Sequence, residues 1–319
     1  MTLTAAPLTG CVTVHGERAL IPSVTKAEAG QALERFTEVN NEANKNLDAK
    51  LIATVESGPL GAVDGAGLRA RNTVAPGGNP DFKALGLGDP RFLIPRQVGW
   101  PKWFVADVAP ELGGSGTGTN RWLMVFERGG AREAWRVSYV ASVRASAVPE
   151  FTRDAQGYVE PVAAEGSGLV VDPGELGGAY TGYLAKGDAK DASVFAPGSS
   201  TSELVTSRAK NARTAQSATQ YADQPATEGD FAPLGLRTKD GGALVFFATH
   251  HTAKITMLRP GVTPQVDTYT RALMTGTPKQ SVTLGRVARQ TVLVPAEKDG
   301  GGQVVFLTRT VGLVAARGE

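Results

Sequence analysis

The chain has 319 residues, of which 41% are hydrophobic and 20% charged, and its net charge is +2 from 33 basic and 31 acidic residues. That composition fits a globular protein and excludes a disordered chain, and the length suits two domains of ordinary size. No basic block interleaved with aromatic residues occurs, so no nucleic-acid partner is expected, and no apolar run approaches the roughly 18 residues needed to cross a bilayer.

The first signal in chain order is Leu8-Thr9-Gly10-Cys11, around the only cysteine. A branched apolar residue, two small residues and a cysteine are the pattern of a bacterial lipobox. Small side chains flank the scissile bond, and the thiol carries diacylglycerol. Two acyl chains give lasting membrane attachment where one gives only marginal binding. A lone cysteine also excludes an intrachain disulfide, a cysteine-based zinc site and a thiol redox pair. Met1 to Pro7 supplies neither the basic start nor the apolar core of about 7–15 residues that a signal peptide needs. The stretch therefore reads as the tail end of a leader whose charged start is missing, the alternative being a chance match. Residues 1–22 are taken as leader remnant and tether.

Thr25-Lys26-Ala27-Glu28 is a capping box. Behind it Ala32, Leu33, Phe36, Val39, Ala43, Leu47, Leu51 and Val55 recur at helical spacing, which predicts one amphipathic helix of about 25–30 residues. Glu34, Glu38 and Glu42 form an i, i+4 row, read as a solvated face tempered by Arg35 or Lys45. A shorter helical piece is expected from Leu60 to Arg69. Strands follow at Arg91–Ile94, Trp100–Val108, Arg121–Glu127 and Ala134–Val143, rich in aromatic and β-branched residues and divided by Gly-rich turns. Gly113 to Asn120 superficially matches a phosphate loop, but it lacks the lysine and the strand-to-helix setting, so it is read as a hairpin loop.

Residues 145–168 carry Pro, Gly and charges without a period and are read as a linker. Asp172-Pro173-Gly174-Glu175 then predicts a second helix start with Asp172 as cap. Leu176, Tyr180, Tyr183 and Leu184 form its apolar stripe. Pro197 to Glu203 and Thr214 to Thr227 read as polar loops, without the Gly-x-Ser-x-Gly element of a serine hydrolase. Long strands come next at Ala243–Arg259, Ser281–Val294 and Gln303–Ala316. Helix first, then antiparallel strands, twice over, predicts an α+β fold of tandem duplicated units, residues 23–144 and 169–319, each a long helix on a curved sheet. Arg69-Ala70-Arg71-Asn72 is echoed by Arg208-Ala209-Lys210-Asn211. This order and length resemble the α+β cone of nuclear transport factor 2-like domains.

The whole chain also resembles a group of uncharacterised lipoproteins of Streptomyces and related actinobacteria. The matching stretches are GCVTVHGERALIPSVTKAEAGQALERFTEVNNEANKNLDAKL, DPRFLIPRQVGWPKWFVAD and NRWLMVFERGGAREAWRVSYVA. That resemblance implies secretion and lipid attachment at Cys11, and it implies no activity.

Among side chains able to do chemistry, His251 stands out. Adjacent strand residues point to opposite faces, and the neighbouring pattern turns His251 to the covered side and His250 to solvent. His251 is then a general base or ligand-binding group at a cone mouth, or a hydrogen-bonded core histidine. Trp100, Trp103, Trp122 and Trp135 offer flat faces for an apolar or sugar-like ligand, or ordinary packing. Tyr180 and Tyr183 carry the same alternatives, and Asp107 sits where a strand can face a pocket. The candidate pocket is therefore His251, Trp103, Tyr180 and Tyr183, with no metal and no cofactor expected. Two functions compete. One is a surface-anchored, extracytoplasmic binding or interaction module held to the membrane through Cys11, with an unknown small ligand or protein as partner. The other is an enzyme, a hydrolase or isomerase, with a pocket centred on His251. A transporter's solute-binding protein would show alternating strand–helix units, which are not seen here.

Overall fold

The computed structural model describes residues 19–116, 118–187, 194–299 and 301–319. Cys11 and most of the expected tether lie outside them.

The first expected helix forms but is broken. Helix α1 (Lys26–Asn46) opens on Thr25, whose hydroxyl accepts from the Glu28 N–H at 3.1 Å. Glu28 does not close the capping box. Its carboxylate instead accepts from Arg128 (2.9 Å) and Trp135 (3.0 Å). The helix ends because Leu47 takes the left-handed conformation, φ 55°, with its N–H on the Ala43 carbonyl. Asp48 then caps a short helix α2 (Ala49–Ile52), accepting from the Lys50 and Leu51 N–H groups. The apolar period runs through this break unchanged, because Leu47, Ile52 and Val55 are all buried on either side of it; periodicity alone therefore could not show the stop. Helix α3 (Gly58–Val74) extends the predicted Leu60–Arg69 piece at both ends.

Strands β2 (Leu85–Leu93), β4 (Lys102–Leu112), β6 (Asn120–Arg128) and β7 (Arg136–Arg144) form an antiparallel sheet in the order β2-β4-β6-β7. The short strand β5 (Ser115–Gly116) closes the expected hairpin loop on β4, and β1 (Ile21–Pro22) pairs with β3 (Arg96–Gln97). WFVADV and LMVF do not alternate apolar with polar, and the sheet explains why: both its faces are covered. Phe104, Ala106, Val108, Met124 and Phe126 face α1. Trp103, Val105, Leu123 and Val125 face the other way. A bulge at β7 keeps the alternation in step, so that Val137 joins Phe126 while Tyr139 joins Val125. Phe104 stacks on Phe126 at 4.8 Å and meets Trp135 edge-on at 5.0 Å, and Phe36 of α1 meets Phe126 edge-on at 6.2 Å, which ties the helix to the sheet.

The second sheet is built on three long strands, β11 (Ala243–Met257), β13 (Ser281–Val294) and β14 (Val305–Gly318). Its order is β12-β14-β13-β11-β10-β8, with β12 (Met274–Gly276) parallel to β14, and β10 (Leu234–Arg237) and β8 (Pro161–Val162) beyond β11. Farther along β11, on the same side as β10, lies β9 (Ser217–Ala226). This corrects the polar-loop reading of Thr214–Thr227: a polar segment becomes a strand because β11 offers it an unpaired edge. Pro197–Glu203 likewise leads into helix α5 (Ser202–Asn211). Helix α4 (Leu176–Lys186) buries Leu176, Tyr180, Tyr183 and Leu184 as expected. Asp172 is not its cap, because its carboxylate turns back to accept from the Gly166 and Ser167 N–H groups.

The fold is α+β, with helices packed on curled, mostly antiparallel sheets. The second half has α4 and α5 where one long helix was expected. The two sheets face each other. Leu236, Leu244, Phe246 and Ala248 of the second meet Trp103, Val105, Tyr139 and Val143 of the first in one apolar cluster. Phe151 and Val159, from residues 145–168, join the same cluster. On the far side of the second sheet α4 covers Val245, Phe247, Val292 and Val294. Helix α3 spans the two sheets, touching β7 as well as β13 and β14. A Cβ at Gly312 of β14 would lie 2.1 Å from Val63 Cγ1, so a larger residue there would displace the Val63 side chain of this helix.

Candidate functional site

The sequence-predicted residues divide between two cores. Trp103 is buried in the cluster between the sheets, while His251, Tyr180 and Tyr183 lie on the opposite face of the second sheet. His251 is 5% exposed, and His250 is exposed, as the strand pattern requires. Asp223 of β9 stands directly across from His251 of β11 and bonds its Nδ1. The Thr249 hydroxyl bonds Nε2 at 2.8 Å. Burial, ahead of every other influence, holds the imidazole pKa below its usual value despite Asp223. A neutral ring donating from Nδ1 to Asp223 and accepting on Nε2, towards which Arg309 points a donor, fits that direction. Arg208 of α5 grips both oxygens of Asp223, and Arg309 reaches within 3.3 Å of Nε2. Asp223, His251 and Thr249 have the connectivity of an acid–base relay, but Thr249 is wholly buried, where no substrate meets it. Tyr180 donates its hydroxyl to the Ser200 carbonyl, and burial pushes its pKa up to about 12. Tyr183 packs on Phe195 at 5.6 Å. The cluster ties α4, α5 and the sheet together.

The other sequence candidates also have packing roles. Asp107 receives Arg121 Nε at 2.6 Å, both side chains being less than a tenth exposed. Trp135 belongs to the core under α1, and Trp100 lies open under the Arg128 guanidinium, 5.1 Å from its ring. Glu34, Glu38 and Glu42 are solvated.

The more capable site lies where α1, α3, β7 and β13 meet, around a cavity of about 500 Å³. The segment between α2 and α3 is held along β7 by Ser57 N–H to the Val137 carbonyl (3.0 Å) and Val137 N–H to the Val55 carbonyl (2.8 Å). This delivers the Glu56 carboxylate into the cavity, 2% exposed. Glu56 Oε1 accepts a long bond from Asn40 (3.4 Å), and Oε2 has no partner. Asp64 enters from α3 and Arg289 from β13. Arg289 Nε and Nη1 are buried without a partner, and among the described residues Arg289 makes no ion pair with either acid. Desolvation, then the Asp64 charge, raises the Glu56 pKa well above the usual carboxylate range. Desolvation also raises Asp64, against the pull of Arg289 and Arg71. Asn41 fixes the wall by bonding both the N–H and the carbonyl of Leu85, at 2.7 and 2.8 Å. Phe36, Phe82 and Trp122 supply the apolar side.

Sequence reasoning passed over these residues. Two signals were present: a lone aspartate within the apolar stretch Leu60–Leu68, and a lone arginine amid the apolar residues of Val287–Val294. An ionisable residue in such a run costs stability unless paired or used. The asparagines of NNEANKN, at helical spacing, mark a polar cavity wall in the same way.

These features define an α+β protein of two facing sheets with a charged, half-apolar cavity between its helices and both sheets. It belongs to the family described as a domain of unknown function (DUF8094), whose model matches residues 20–318. The chain is 47% identical to an uncharacterized lipoprotein of Streptomyces avermitilis, across all of this chain and 92% of the relative. It is 44% identical to one from Streptomyces coelicolor, with the same coverage, and 26% identical to a second from that organism, over 93% of this chain and 82% of the relative. No solved structure matches the chain. Among the described residues no helix is long and apolar enough to cross a membrane.

Proposed function

We propose that this protein is an extracytoplasmic binding module, anchored in the cell membrane by lipid on Cys11, that receives a small polar ligand in the cavity of Glu56, Asp64 and Arg289. One observation carries the binding half. Glu56 and Arg289 line one cavity, and a carboxylate oxygen of the first and two guanidinium nitrogens of the second are buried without a protein partner, although buried polar groups are almost always satisfied. The anchoring half is supported by Leu8-Thr9-Gly10-Cys11 and by the relatives' description as lipoproteins.

Two experiments test the reading. In a clone carrying a complete signal peptide, labelled fatty acid enters the wild-type chain and not Cys11→Ala; equal labelling of both removes the anchor. Ser142 lines the cavity at the exposed surface, so Ser142→Trp plugs the entrance. A small-molecule panel screened by thermal shift yields compounds that raise the Tm of the wild type and leave Ser142→Trp unmoved. A panel that never separates the two proteins removes the binding role.

A further inference from the structure

Resting on the cavity-binding reading, we infer that the ligand is a free α-amino acid with a large apolar side chain, held as a zwitterion between the carboxylates of Glu56 and Asp64 and the guanidinium of Arg289. The charges are placed for such a guest. Two acids and one arginine share the cavity and feel one another's charge, yet Arg289 closes on neither acid. Burial favours the protonated form of both acids while the cavity is empty, an incoming ammonium group favours their charged form, and the Arg289 charge stays buried without a partner until an anion reaches it. An ammonium group fills the acid side by donating to the carboxylates of Glu56 and Asp64, both of which line the cavity. A carboxylate on the same carbon fills the other side by accepting from the Arg289 guanidinium, which lines the cavity and pairs with neither acid. Charge-assisted bonds of this kind are the strong ones.

The remaining wall selects the side chain. Phe36, Phe82 and Trp122 give the guest an apolar lining. A cavity of about 500 Å³ holds an aromatic amino acid with room for water. A sugar would use the asparagines, but those are largely committed: Asn41 to Leu85, and Asn44 to the Asn40 carbonyl and Arg71. A simple cation would leave Arg289 unanswered, and a simple anion would leave Glu56 unanswered.

The test is calorimetric titration of the full chain with L-phenylalanine, phenethylamine, 3-phenylpropanoate and N-acetylglucosamine. Glu56→Gln and Arg289→Met are both close in shape to the native residue, and their melting curves report the fold. L-Phenylalanine binds, and each single-charge analogue binds at least about tenfold more weakly, as expected when a charged group is left unpaired. Each variant also weakens L-phenylalanine by at least about tenfold. The cross pattern is specific: Arg289→Met does not weaken phenethylamine, whose ammonium loses a like charge beside it, and Glu56→Gln does not weaken 3-phenylpropanoate for the same reason. If N-acetylglucosamine binds, is lost in Ser142→Trp, and L-phenylalanine does not bind, the zwitterion assignment falls while the binding module stands. If L-phenylalanine binds equally to wild type and both variants, the assignment falls as well. If no probe here and no panel compound distinguishes wild type from Ser142→Trp, both readings fall together.

Discussion

Glu127 of β6 reports on the packing of the first sheet without any ligand. Its carboxyl is 8% exposed, its Oε1 has no partner, and it lines a second, smaller cavity with Trp100, Arg136 and Asp230. Arg136 is already engaged by Asp230 at 3.0 Å. Burial, reinforced by the Asp230 charge, moves the Glu127 pKa from 4.5 to about 8. The folded protein therefore holds this proton through a pH range in which the unfolded chain has lost it. Stability consequently falls as pH rises from 4.5 to about 8 and levels off above, since the native state binds the extra proton. At about 1.4 kcal/mol per pH unit, that interval is worth on the order of 5 kcal/mol as an upper bound. Glu127→Gln keeps the shape and removes the titration. Urea unfolding at steps from about pH 3 to 9 should show the two proteins equally dependent on pH below the window. Through it, the variant should gain steadily on the wild type by several kcal/mol. Parallel curves across the whole range would mean that Glu127 ionises normally, and the packing described around it would be wrong.

Other perturbations follow from single contacts. Gly312→Ala drives a methyl into Val63 and should cost about 1–3 kcal/mol by overpacking. Adding Val63→Ala should return part of it, and a double-mutant cycle in denaturant with no coupling would refute the contact. Asp107→Ala leaves Arg121 buried with only its Asp89 contacts and the Asp107 carbonyl, so a loss near 3 kcal/mol is expected in the same assay. His251 titrates with the opposite sign to Glu127. Its folded pKa lies below 6.5, so its contribution is present above pH 6.5 and lost as pH falls through that value towards the folded one. His251→Gln should flatten the acid side of the Tm–pH profile, and an unchanged acid limb would show that the ring stays charged in the fold.

The fold class, the meander of the first half and the long strands of the second were legible because their signals are local. β13 begins and ends at the predicted Ser281 and Val294. What stayed hidden depends on partners distant in sequence. β9 is polar and becomes a strand only beside β11. The end of α1 at Leu47 leaves no gap in the apolar period, because the residues beyond it turn back into the same core. The candidate site was missed for the same reason. His251 drew attention as a titratable side chain on an amphipathic strand, but two-sided burial of that strand gives it an ordinary occupation: Asp223 and Thr249 take both ring nitrogens. Glu56, Asp64 and Arg289 come from a turn, a helix and a strand hundreds of residues apart at the extremes, and none is conspicuous alone. What separates them from His251 is unfilled bonding capacity. His251 is satisfied by its neighbours, whereas Glu56 Oε2 and Arg289 Nε are buried and unmatched. Buried polar groups without partners cost a folded chain stability, and the proposed ligand is what would offset that cost in the cavity they line.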